Sequence, residues 1–153
     1  MSGEFLPPKK EPASATSLRS GDPVTVLAVA DPADAELRHV LSHSRWMLLE
    51  VSNIAEAVSR LEKSAEVVII CQPVLSDGTW KQLLDCTSYF LPPPPLLVAS
   101  LHADDDLWME VLNSGGYNVI SKPFDLHELV RLVSLAWLDR LEKARRTIRA
   151  SAG

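Results

Sequence analysis

The sequence predicts an α/β fold: a (βα)5 chain whose five strands form one parallel sheet, doubly wound by helices on both faces. Three observations predict it. Short apolar runs rich in β-branched residues recur five times, as strands covered on both faces require. Between them lie segments with helix-start signals and apolar residues at three- and four-residue spacing. The connections are short, and no internal repeat interrupts the alternation. At 153 residues, with 46% hydrophobic and 23% charged residues, the chain has room for one ordinary globular domain and a tail.

Val24–Val29 is the first strand. Asp31 reads as the N-cap of the helix that follows, with Pro32 at its first position and Asp34 in the acid-favouring first turn. Leu37, Val40 and Leu41 give that helix its apolar face. Trp46–Val51 is the second strand. Asn53 with Glu56 three residues on has the form of a capping box, and Ala57, Val58 and Leu61 face inward. Glu66–Cys71 is the third and most hydrophobic strand. The loop 72–78 carries Asp77-Gly78, a turn pair.

Trp80, Leu83 and Leu84 mark a short third helix, stopped by the proline run of Leu91–Pro95. Leu96–Ser100 is the fourth strand. Asp104–Asp106 opens a fourth helix through Leu107, Val111 and Leu112, and Gly115-Gly116 ends it. Tyr117–Ser121 is the fifth strand. After Lys122-Pro123-Phe124, Asp125 with Glu128 opens a last helix running to about Arg149. Apolar residues at 126, 130, 133, 137, 141, 144 and 148 continue one stripe past the end of the sheet. The expected organisation is a disordered tail over 1–22, a domain over 23–138, and an extension of the last helix with a frayed tail over 139–153.

Composition excludes several functions. A net charge of −5 argues against a general nucleic-acid binder, which needs a basic face. Two cysteines, Cys71 and Cys86, both in apolar surroundings, do not make a disulfide framework. No apolar run approaches the roughly 20 residues of a membrane span, and no signal-peptide pattern opens the chain; a cytoplasmic location is the expectation. His39 and His43 stand four apart on one helix but lack the further ligands zinc requires. Trp46, Trp80, Trp108 and Trp137 fall on separate elements, as packing residues do.

In the flavodoxin-like strand order 2-1-3-4-5, ligands sit at the carboxyl ends of the strands. Those tips carry Ala30 and Asp31, Cys71, Ser100 and Lys122. With Asp77-Gly78, Lys122-Pro123-Phe124 and the Gly115-Gly116 pair, these residues make the stretch from about Val24 to Leu138 resemble a response-regulator receiver domain of the CheY-like superfamily. The resemblance implies phosphoryl transfer from a histidine kinase to a strand-three aspartate. It also implies Mg²⁺ held by that aspartate and an acidic pair at the strand-one tip, with a Ser/Thr and a Lys on the phosphoryl oxygens. This chain departs from the pattern at the acceptor position, Cys71, and at the first acidic position, Ala30. Ser100 and Lys122 are retained, and Asp31 is the residual acid. A thiol and a methyl group cannot hold a hard cation, so Mg²⁺ is not expected and aspartyl phosphorylation is expected to be lost.

What remains is an atypical receiver acting through protein contacts, on a kinase or a downstream protein, by its fourth and fifth helices. The long last helix is a second surface, either a cationic helix end or a docking site for another copy. Lys122 is expected to pair with Asp31. Two alternatives stay open. Asp77 is a shifted phospho-acceptor or a plain turn aspartate. Cys71 is a redox-sensing thiol activated by Lys122 or a small buried hydrophobe.

Overall fold

The computed structural model describes residues 24–152; the expected disordered tail lies outside them. Twelve elements follow in order: β1 (Thr25–Val29), α1 (Ala35–Leu41), β2 (Met47–Val51), α2 (Ile54–Lys63), β3 (Val68–Cys71), β4 (Val74–Leu75), β5 (Gly78–Thr79), α3 (Trp80–Thr87), β6 (Leu96–Ser100), α4 (Asp105–Ser114), β7 (Asn118–Ser121) and α5 (Leu126–Ala152). The five long strands form one sheet in the order β2-β1-β3-β6-β7, and every pair is parallel. This is the expected 2-1-3-4-5 order. The short β4–β5 antiparallel pair is an addition that periodicity did not announce, because two-residue strands have none.

Alternation along each strand sorts the core into two layers. Leu27, Val29, Ile69, Cys71, Leu96, Val98 and Val119 pack with Ile54, Ala57 and Leu61 of α2, Trp80 and Leu83 of α3, and Val111 of α4. Val26, Ala28, Val68, Ile70, Leu97, Ala99 and Ile120 pack with Leu37 and Leu41 of α1 and Leu129, Leu132, Val133 and Ala136 of α5. Among the described residues, no helix is long and apolar enough to cross a membrane.

The caps follow sequence chemistry in three of the helices. Asn53 Oδ1 accepts from Glu56 N at 2.9 Å, although Glu56 reaches back to Ser52 N rather than to Asn53. Asp104 Oδ1 accepts from Leu107 N, and Gly115 closes α4 at φ +104°. Asp125 Oδ1 accepts from the amides of His127 and Glu128.

Two expectations are corrected. Asp31 is not the first cap: the chain runs three residues further, and Asp34 caps α1 by accepting from Leu37 N at 3.0 Å. The apolar stripe of α5 meets the core only in part, through buried Val133 and through Trp137 packed against it. Leu129, Leu132, Val133, Ala136 and Arg140 are buried, whereas Leu126 and Ile148 are exposed. The contact with the sheet fixes the rotation of a helix, and a helix apolar on several sides leaves that rotation open.

Candidate functional site

The carboxyl ends of β1 and β3 are pinned by their register, Val29 opposite Cys71. Cys71 therefore belongs to the layer beneath α2, α3 and α4, and it is 1% exposed. Burial in that apolar layer pushes its thiol up to about 12, the reverse of what a thiolate sensor requires. Native Cys71 should consequently be alkylated by iodoacetamide more slowly than the half-buried Cys86, with the difference erased in urea; fast labelling of Cys71 at neutral pH would contradict this.

One residue beyond that register the two strands present Ala30 and Gln72, which alternation assigns to the α1–α5 side. Ala30, Asp34, Gln72, Ala99 and Lys122 border a cavity of about 20 Å³, with Cys71 contributing to its wall. That volume suits about one water molecule. Lys122 Nζ donates to Asp34 Oδ2 at 2.8 Å, with side-chain exposures of 26% and 14%. The expected partner, Asp31, is exposed and does not border this cavity. Asp34 wins because α1 begins there, so one carboxylate both caps the helix and overhangs the end of β7. The carboxamide of Gln72 donates to the carbonyls of Val74 at 2.6 Å and Asp31 at 3.4 Å. A second tie between the same elements runs from Phe124 N to Glu36 Oε2, 2.6 Å.

Ser100 is 8% exposed, and its Oγ accepts from His102 N at 3.0 Å. It thus orders its own loop and does not border the small cavity. Asp77 is engaged as well. Its two carboxylate oxygens accept from Ile54 N and Ala55 N at 2.9 and 3.1 Å, giving α2 a second cap from 23 residues away. The Ile54 amide holds the Asp77 carboxyl below its usual range. Sequence reasoning missed Gln72, Asp34 as the partner of Lys122, and the reach of Asp77. An available signal was the spacing of Asp34 to Leu37, which suits an N-cap as well as Asp31 does.

The donor set does not fit Mg²⁺. It consists of a methyl group, a protonated buried thiol, a carboxamide turned to donate, and one carboxylate shared between an ammonium and a helix amide. A hard cation needs oxygen ligands with free lone pairs. Among the described residues, no group of three or more His, Cys, Asp or Glu is disposed to hold a metal ion.

No protein-family model matches the sequence, and no curated protein matches it significantly. Solved structures do match in fold. A protein described as a response regulator from Chloroflexus aurantiacus superposes with a TM-score of 0.68 at 22% identity, over 76% of this chain and 98% of that one. The chemotaxis response regulator of Vibrio cholerae gives 0.64 at 18% identity, over 74% and 98%. A third match comes from the co-crystal structure of a Saccharomyces cerevisiae histidine phosphotransfer protein with the receiver domain of its downstream response regulator. It gives 0.62 at 18% identity, over 72% and 86%. The chain has the receiver fold.

Proposed function

We propose that this chain is an atypical receiver that signals by protein contact and does not accept a phosphoryl group on aspartate. One observation carries the reading. The strand-end cavity has Ala30, Cys71 and Gln72 at the tips of β1 and β3, and its cation, Lys122, is already neutralised by Asp34. Phosphoryl transfer depends on positioned charge around the equatorial oxygens, and here the space suits a water and the charges cancel.

The contact surface we assign is the face shared by α4, β7 and α5. A hollow of about 420 Å³ opens there, with Trp108, Asn118, Glu128 and Arg131 in its walls. Trp108 is braced by a 3.1 Å hydrogen bond to Asn118 Oδ1 and stays 47% exposed, beside exposed Met109 and Leu112. A rigid, half-exposed tryptophan with apolar neighbours is the composition of a protein interface. The yeast receiver of similar fold is seen bound to a phosphotransfer protein, which supports a signalling protein as the partner. The projecting turns of α5, with Ile148 exposed, are the surface offered to a second copy.

The test is incubation with acetyl phosphate and Mg²⁺ followed by intact-mass measurement. No acid-labile phosphoryl adduct is expected. An adduct that Asp34→Asn or Asp77→Asn abolishes would overturn the proposal and identify the acceptor.

A further inference from the structure

At the opposite edge of the sheet, where the strands begin, a cavity of about 270 Å³ opens between the end of α3, the proline run before β6, the α4–β7 turn and the middle of α5. At roughly 30 Å³ per water this is the space of about nine waters, enough for a small metabolite-sized molecule.

Arg140 lines it. This residue lies one turn past Ala136 on the buried face of α5, where the pattern calls for an apolar side chain, and it is only 7% exposed. Its Nε is buried with no hydrogen-bond partner, and it makes no salt bridge among the described residues. Glu66 favours its charge, against the burial that opposes it. A buried guanidinium is normally matched by a carboxylate or phosphate across its planar fork, and an orphaned buried donor calls for an unseen partner.

The rest of the wall limits what that partner is. Tyr117 also lines the cavity. Burial and Asp139 raise its phenol above the ordinary value, so it stays protonated and can donate. Lys143 is occupied by Asp139 at 3.0 Å. Asp85 adds a second negative charge to the lining, which disfavours nucleotides and other dense polyanions. Pro93–Pro95 supply an apolar side, and a Cβ built on Gly115 would meet nothing within 4 Å, so the rim is open there.

We propose that this cavity binds a small molecule with a single oxyanion head, carboxylate or phosphate, held by the Arg140 guanidinium and the Tyr117 hydroxyl with its apolar part against the prolines.

The test is an amide-shift NMR titration of the full chain at constant ionic strength, with acetate, with inorganic phosphate, and with chloride as reference. Saturable shifts at Ser88, Gly115 and Gly116 with either oxyanion, absent with chloride, are expected. Whichever anion saturates identifies the head group. The affinity should fall at least tenfold in Arg140→Lys, which keeps the charge but loses the fork, and vanish in Arg140→Met. Tyr117→Phe should weaken it with the fold intact. Shifts that stay linear for both oxyanions, or saturation unchanged in Arg140→Lys and Tyr117→Phe, would overturn the assignment and leave Arg140 as a stem that covers apolar surface. The wild-type titration decides the matter even if Arg140→Met does not fold.

Discussion

Cys71→Asp is expected to destabilise the protein by about 4 kcal/mol at pH 7 rather than to restore an acceptor. The side chain at 71 faces the apolar layer with Leu27, Val29 and Ile69, so an aspartate there must stay protonated. Holding a carboxyl with an ordinary pKa near 3.9 in its acid form at pH 7 costs about 1.4 kcal/mol per unit, roughly 4 kcal/mol in all. The sign fixes the pH dependence. The folded-state pKa would be raised, so the loss is small near pH 4 and grows as pH rises toward the folded value. Urea denaturation at pH 5 and pH 7 should show the variant losing about 3 kcal/mol more, relative to wild type, at the higher pH. A variant of wild-type stability at pH 7 that takes up phosphate from acetyl phosphate would mean that a carboxyl at 71 turns out of the apolar layer and into the crevice.

Asp34→Ala is the second large effect, expected at about 2–3 kcal/mol. It removes the α1 cap, about 1 kcal/mol, and leaves the half-buried Lys122 ammonium without its charged partner, a further ~1.5 kcal/mol. Asp34→Asn separates the two, because its carboxamide oxygen can still accept from Leu37 N. It should cost only the second share. In a double-mutant cycle with Lys122→Met the coupling should reach about 1 kcal/mol or more. A coupling near zero would mean that the 2.8 Å contact is a solvent-screened surface pair of little worth.

The strands were legible in the sequence because a parallel sheet covered on both faces demands uninterrupted apolar runs, and Val24–Val29, Glu66–Cys71 and Leu96–Ser100 are such runs. Local caps at Asn53, Asp104 and Gly115 were legible for the same reason: donor and acceptor lie within three or four residues. What could not be read were choices made across the fold. Asp31 and Asp34 are both suitable caps by residue type, and nothing local announces that the one that caps α1 also meets Lys122, 88 residues away. Asp77 reads as a turn residue until the start of α2 is brought beside it. Arg140 reads as part of a cationic helix end until α5 is rotated onto the sheet. At the site, the strand tips follow from the apolar runs, whereas the burial of Cys71 beneath α2, α3 and α4 depends on register rather than on composition.

The ties from Lys122 to Asp34 and from Phe124 to Glu36 each span 88 residues. On the ribosome, α1 therefore emerges long before either of its anchors has been translated. Synthesis proceeds at roughly 5–20 residues per second, so the nascent chain spends several seconds with that helix unmoored. Truncation or cleavage ahead of residue 122 would leave a fragment whose α1 has lost both clasps.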